Sequence, residues 1–347
     1  MNVHYMFSLL VVIALFLIAY IGQAVGLQVL FGVIIPYLAI ITFIAGFIYR
    51  VMNWARSPVP FRIPTTCGQQ KSLPWIKASH IDNPSTTAGV VVRMALEILA
   101  FRSLFRNTRM SPEKGDKISY EWEIFLWVGS LAFHYAFAAV LVRHLRFFME
   151  PVPVWLNWLE KVDSFLQLGL PVMLWSGVVL LAAVTFLFLR RILYAHMKYI
   201  SLAADYFPLF LIFGIAFTGI LMRYFTKVDI VSVKELTMGL ATLHPTVPEG
   251  IGGLFYVHLF FVSVLLAYFP FSKLMHLGGI FMSPTRNLTT NGREFRHINP
   301  WNYPVKVHTY EEYEDEFREK MVEMGIPVEK ELPPVASEES EEPEEKE

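Results

Sequence analysis

The 347-residue chain is 54% hydrophobic and 17% charged, against about 25% charged residues in a soluble domain, so lipid rather than water is the expected solvent of much of its surface. A net charge of −1 offers no basic face to a nucleic acid. The single cysteine, Cys67, excludes an intrachain disulfide, a cysteine-ligated iron–sulfur cluster and covalent haem attachment through C-x-x-C-H.

No Asp, Glu, Lys or Arg occurs between Met1 and Tyr49. Charge-free runs recur at Ile124–Val142, Leu166–Leu189, Tyr206–Met222 and Gly250–Ser272. A helix that crosses the hydrocarbon core needs roughly 20 apolar residues. The first run therefore supplies two spans, about Tyr5–Gln23 and Val29–Tyr49, with a turn at Gly22–Gly26. The other spans are expected near Ile124–Phe147, Leu166–Leu189, Tyr206–Phe225 and Gly253–Leu274. The first span lacks the basic n-region of a secretory signal and is too long for one. Pro171, Pro208 and Pro270 fall near span ends, where a missing backbone donor is best tolerated. The predicted fold is an all-α membrane protein, a six-transmembrane-helix bundle with a helical cytoplasmic loop and a cytoplasmic C-terminal tail. Its parts are an N-terminal hairpin (1–50), the loop (51–122), a four-helix core (123–276) and the tail (277–347).

Orientation follows from the basic residues. The 50–123 segment carries Arg50, Arg56, Arg62, Lys71, Lys77, Arg93, Arg102, Arg106, Arg109, Lys114 and Lys117. Arg190, Arg191 and Lys198 follow the fourth span, and Arg286, Arg293 and Arg296 follow the sixth. The loops at 148–164 and 226–249 carry few bases, Lys161 in the first and Lys227 and Lys234 in the second, and no excess of them over acids. The positive-inside rule puts the basic loops and both termini in the cytoplasm. Asn83-Pro84-Ser85-Thr86 reads as a helix start, after which Val90, Met94, Ile98, Phe101 and Phe105 share one face at helical spacing. This amphipathic helix is expected on the inner membrane surface, against a partner, or on the protein's own spans. A short helix is predicted at Tyr310–Met324, and the acidic run Glu338–Glu347 reads as disordered.

Four histidines lie within or at the ends of spans: His134 and His144 on the third, His258 and His276 on the sixth. An ionisable side chain at membrane depth is expensive and signals function. The third and sixth spans run antiparallel, so His134 should lie level with His276, and His144 with His258. The ten-residue spacing spans roughly 15 Å and the eighteen-residue spacing roughly 27 Å. One ligand, His276, should therefore stand beyond the helix proper, with Pro270 permitting the bend. Two pairs at two depths suit two non-covalent bis-histidine haems and fit poorly with zinc, which wants four ligands at one point. His244, in Leu243-His244-Pro245, is a candidate acceptor of a quinol proton.

The pattern His134-x9-His144 with His258-x17-His276, and the segment Phe269-Pro270-Phe271-Ser272-Lys273-Leu274-Met275-His276, resemble the gamma subunit of respiratory nitrate reductase. Pro58–Thr66, Ser103-Leu104-Phe105-Arg106-Asn107-Thr108 and Asn299-Pro300-Trp301-Asn302-Tyr303-Pro304 resemble more closely the M subunits of the sulfite-reduction-associated membrane complex DsrMKJOP and related heterodisulfide reductase-like complexes. An N-terminal span additional to the five-helix nitrate reductase pattern is a departure. The resemblance implies two b haems on the four histidines and menaquinol or menaquinone chemistry at the outer one. It further implies electron exchange with a cytoplasmic iron–sulfur subunit similar to the catalytic subunit of heterodisulfide reductase, beside other membrane and periplasmic subunits.

On that basis a quinol is expected near His144 and His258, with Lys161 as hydrogen-bond donor to a quinone oxygen and Glu160 as a neighbouring titratable group. Arg143 and Arg146 could pair with haem propionates or simply snorkel. Trp155 or Trp158 could line the quinone pocket. The 50–123 loop and the 280–327 tail are the expected face for the soluble partner. The rival readings are a gamma-type cytochrome of a nitrate or heterodisulfide reductase, a proton-relay transporter, and a structural anchor.

Overall fold

Each charge-free run of span length contains a long helix. A computed structural model describes residues 3–59, 63, 68–112, 118–166, 172–292 and 307–330. Among the described residues, six helices are long and apolar enough to cross a membrane: Val3–Ala24, Leu30–Ala55, Ile124–Phe148, Trp175–Leu193, Ala203–Thr226 and Gly253–Phe271. The protein is a multi-pass membrane protein of mainly helical structure.

In chain order, α1 (Val3–Ala24) turns at Gly26, whose φ of +91° suits glycine. A π-helical turn, Leu30–Ile34, leads into α2 (Ile35–Ala55). The basic loop then forms α3 (Thr87–Leu99), the short α4 (Arg102–Phe105) and an antiparallel hairpin of β1 (Thr108–Pro112) and β2 (Ile118–Trp122). The third span is α5 (Ile124–His144), extended by a 3-10 turn to Phe148. Next come α6 (Val154–Asp163), the spanning α7 (Trp175–Leu193), α8 (Ala195–Ile200) and the spanning α9 (Ala203–Leu221). The last elements of this part are α10 (Ile230–Ala241), α11 (Gly253–Tyr268), α12 (His276–Met282) and α13 (Pro284–Asn287). Met1–His297 is one contact unit and Ile298–Glu347 another.

Two apolar clusters organise the bundle. One joins Val12 and Ala19 of α1, Phe31, Leu211 of α9, Leu236 and Leu240 of α10, and Phe255, Val257 and Phe261 of α11. The other joins Ala136 of α5, Leu180 and Val184 of α7, and Ile212 and Ala216 of α9. Lipid supplies no hydrophobic drive between helices, so small residues let them close up. A Cβ at Gly129 of α5 would come within 2.4 Å of Phe186 of α7, and one at Gly214 of α9 within 2.8 Å of Phe261 of α11. Pro208 cannot donate to the carbonyl of Ala204, and the Tyr268 hydroxyl donates to that oxygen at 3.4 Å instead.

The fold departs from the sequence expectation in several places. The fourth span begins at Trp175 rather than Leu166, because its start is set from outside. Asp163 accepts from Ser176 N and Oγ, both at 2.6 Å, and the Tyr224 hydroxyl accepts from Leu174 N at 2.8 Å. The β1–β2 hairpin, α6 and α10 are not anticipated by hydropathy. The helix start at Thr86 is where it was expected, its hydroxyl accepting from Gly89 N at 3.2 Å. The predicted apolar face, however, breaks after Leu99. Phe101 takes a left-handed φ of +48°, and Phe105 belongs to a separate turn. The buried residues of α3 are Val90, Arg93 and Glu97, while Val91, Val92 and Leu99 are exposed.

In the second unit, α14 (Tyr310–Glu323) opens with a capping box between Thr309 and Glu312, close to the predicted bounds. Its Glu314 accepts from the backbone N–H groups of Glu329 and Lys330 at 2.9 and 2.8 Å. Cys67, Lys114, Lys117, Pro171, Arg293, Arg296, the 60–62, 64–66 and 299–304 parts of the motif segments, and the acidic run 338–347 lie outside the described residues.

Candidate functional site

The helices bring the four histidines together in the two pairs that antiparallel spans require. The rings of His134 and His276 have centroids 5.9 Å apart at an interplanar angle of 84°. Those of His144 and His258 are 6.3 Å apart at 17°. α5 packs closely on α7, and α11 on α1, α2 and α9. Close α5–α11 packing is not found among the described residues, and the two helices face each other through their histidines.

Each position has a local cause. His144 is the last residue of α5, which gives way to a 3-10 turn. α11 ends at Tyr268, the chain passes through 3-10 turns containing Pro270 and Lys273, and His276 opens α12. The longer His258–His276 spacing is thus absorbed by a break in the helix. Pro270 seats against Gly46 of α2, where a Cβ would come within 2.8 Å of it.

All four rings are anchored through Nδ1. Backbone carbonyls accept from three of them: Ser130 O from His134 at 2.8 Å, Val140 O from His144 at 2.7 Å, and Lys273 O from His276 at 2.9 Å. A carbonyl accepts only, so the proton is on Nδ1 and Nε2 carries the lone pair. His258 uses the hydroxyl of Thr218 at 2.8 Å. That hydroxyl donates to Gly214 O at 2.7 Å, which leaves its oxygen to accept from His258 Nδ1. Anchoring one imidazole nitrogen so that the other can bind a metal is the usual outer-shell arrangement of histidine ligands. Gly219 lies against the same ring, with its Cβ position 3.4 Å from His258 Cε1. No three His, Cys, Asp or Glu side chains converge among the described residues, so the pairs stand alone as a donor set.

The remaining predicted residues gather at the His144 end. Arg143 lies 3.0 Å from Asp163, and Arg146 is ion-paired with Glu160. Both guanidinium groups are thus engaged by carboxylates of α6. Lys161 is exposed, its Nζ 5.4 Å from the centre of the Trp158 ring. Trp155 lines an apolar groove of about 480 Å³ with Tyr135, Ala138, Ala139, Val142 and Leu159. At about 100° per residue, that face of α5 points away from His144. His244 is exposed in the turn after α10. Sequence reasoning missed Thr218, whose only signal is a hydroxyl amid the apolar Gly214–Leu221 stretch. It also missed Phe101, whose ring meets His134 edge-on at 4.9 Å.

Comparison with known proteins places the chain in a family. Residues 119–294, which contain both pairs, match the family described as the nitrate reductase gamma subunit. The chain is 46% identical over 281 residues to the Hdr-like menaquinol oxidoreductase cytochrome b-like subunit of Archaeoglobus fulgidus, covering 79% of this chain and 84% of that protein. The protein of the same name from Archaeoglobus profundus is 41% identical over 276 residues, covering 77% and 81%. With the match spanning both histidine pairs and most of each relative, the chain belongs to the nitrate reductase gamma subunit family.

Proposed function

We propose that this protein is a dihaem cytochrome b of a prokaryotic cytoplasmic membrane. It exchanges electrons between menaquinol or menaquinone and an iron–sulfur subunit similar to the catalytic subunit of heterodisulfide reductase. The setting is a complex of anaerobic respiration linked to sulfite or sulfate reduction, with further membrane and periplasmic subunits. The observation that carries the reading is the pair of facing imidazole sets at opposite ends of one bundle, each ring anchored through Nδ1. The ring separations of 5.9 and 6.3 Å would admit a haem iron held by imidazole nitrogens between the two rings of each pair. His134 and His276 would hold one haem b, and His144 and His258 the other, both without covalent attachment. When bound, haem supplies a one-electron couple at each level of the membrane.

The rest is the work of the chain's own side chains. In this reading the basic α3 end faces the cytoplasm, with both termini, and the α6 end faces outward. Menaquinol binds beside His144, and its oxidation releases two electrons and two protons. Lys161 donates a hydrogen bond to a quinone oxygen, and Glu160, poised against Arg146, accepts a proton on the outer side. Arg143 and Arg146, steadied by Asp163 and Glu160, keep positive charge next to His144. The cytoplasmic loop and the tail each offer a docking surface to the soluble partner.

A dithionite-reduced minus oxidised spectrum with pyridine haemochrome quantitation tests the reading. Two b haems per chain are expected, falling to one in His144→Ala and in His276→Ala. A folded preparation without haem would overturn it and bring the proton-relay transporter forward.

A further inference from the structure

The α3 end holds a buried positive cluster that the histidines do not use. α3 turns charged residues inward, with Arg93 5% and Glu97 6% exposed. The local carboxylates are already committed. Glu97 accepts from Ser103 N at 3.1 Å and from Ser103 Oγ at 2.5 Å. Asp82 is shared by Arg102, Arg106 and Ser79. Arg93 Nη1 and Arg286 Nε are buried with no hydrogen-bond acceptor among the described residues. α13, which carries Arg286, packs on α3, and the two cations sense each other. Burial pulls the Arg93 pKa below the ordinary guanidinium value, and the Arg286 charge adds to the fall against the pull of Glu97.

A buried N–H without an acceptor carries the full cost of its desolvation, so the orphaned groups of Arg93 and Arg286 would gain from an anion. A cavity of about 370 Å³ opens there, lined by Glu97, Phe101, Ser103, Asn107 and Arg286. Phe101 links it to the histidines, because the same ring stands edge-on to His134. Phe101 sits in a left-handed conformation, φ +48° and ψ +47°, which is strained for a non-glycine residue. The surrounding loop therefore holds it in place: Trp127 Nε1 donates to Ala100 O at 2.7 Å and the Tyr135 hydroxyl to Leu99 O at 2.8 Å.

Resting on the cytochrome reading above, we propose that Arg93 and Arg286 hold the propionate carboxylates of the haem carried by His134 and His276. Each guanidinium has a buried N–H without an acceptor among the described residues, and guanidinium groups match carboxylates in geometry and charge. The cavity reaches the ligand pair through one side chain. The loop thereby sets the charge around the inner haem and couples it to the partner face. The rival anion is the phosphate of a lipid headgroup, since the outer face of α3 (Val91, Val92, Leu99) is apolar and exposed.

The test uses the full-length protein in neutral detergent, with Arg93→Gln, Arg286→Gln and the double variant. Each is also built on His144→Ala, to report the inner haem alone, and on His276→Ala, to report the outer one. Redox titration should show the inner haem harder to reduce by about tenfold in its reduced-to-oxidised ratio in the double variant, about 59 mV for a one-electron couple. The outer haem should not move, and Arg93→Lys should recover part of the shift. An inner-haem potential unchanged in the double variant overturns the proposal. So does a potential shift on adding phosphatidylglycerol to delipidated wild type that the double variant lacks, which would assign the cluster to lipid phosphate. Arg286→Gln, at a partly exposed position, keeps the test open if the double variant fails to fold. Wild type with no haem would sink the cytochrome reading itself, whereas two haems with unmoved potentials would sink only this assignment.

Discussion

Thr218→Val is the most informative single change. It keeps the shape of the side chain while removing the only side-chain anchor among the four ring contacts. Thr218 Oγ1 is 2.8 Å from His258 Nδ1, and its own proton is spent on Gly214 O at 2.7 Å. Valine would leave the His258 N–H without an acceptor in a packed bundle, where a stranded donor costs about 1–3 kcal/mol. It would also release the ring from the orientation in which it faces His144. Loss of an outer-shell partner of a histidine ligand typically costs 10–100-fold in affinity, or about 1.4–2.8 kcal/mol. The expected result is faster loss of the outer haem to apomyoglobin, by about one to two orders of magnitude, with the inner haem retained. The outer haem's potential should rise, because an imidazole without its acceptor donates less charge to the oxidised metal. Thr218→Ser, which keeps the hydroxyl, should behave as wild type. Equal haem retention and equal potentials in Thr218→Val and wild type would refute the anchoring role and weaken the assignment of His258 as a ligand.

Three further outcomes follow from the same geometry. Lys161→Ala should raise the KM for a menaquinol analogue several-fold with haem content unchanged, and unaltered menaquinol oxidation would remove Lys161 from the quinone site. Asp82 is raised in pKa by burial but carried below its ordinary value by the hydrogen bonds of Arg102, Arg106 and Ser79. Its contribution is therefore fully present above the unfolded value of about 3.9 and is lost as pH falls through the lower folded value. Limited proteolysis of the 68–106 segment should stay slow down to about pH 4 and rise below it, and Asp82→Asn should show that sensitivity already at pH 7. A profile that is flat across the acid range would contradict this. Deleting residues 298–347 should leave both haems bound while weakening capture of the iron–sulfur partner, and undiminished capture would place the docking face elsewhere.

Much of this protein was legible in one dimension, because membrane insertion is decided by local chemistry. A charge-free stretch of span length has few options in lipid other than helix, so five of the six spans lie close to where hydropathy puts them. Histidine spacing likewise carries the pairing, since antiparallel rods of fixed rise leave only one way to match His134 and His144 with His258 and His276. The excess length of the second spacing even required a break near Pro270. What the chain could not disclose were contacts between residues distant in sequence. Asp163 starts α7 twelve residues away, so apolarity alone put that span nine residues too early. Arg93 and Glu97 turn inward beside Val90, where the apolar pattern marked Met94 and Ile98, and Ser103 gives Glu97 its polar partner there. Thr218 became a ring anchor only when α9 packed against α11. Hydropathy and helical rise are summed along the chain and can be read from it, whereas a hydrogen bond or an orphaned charge exists only once folding has chosen its neighbours.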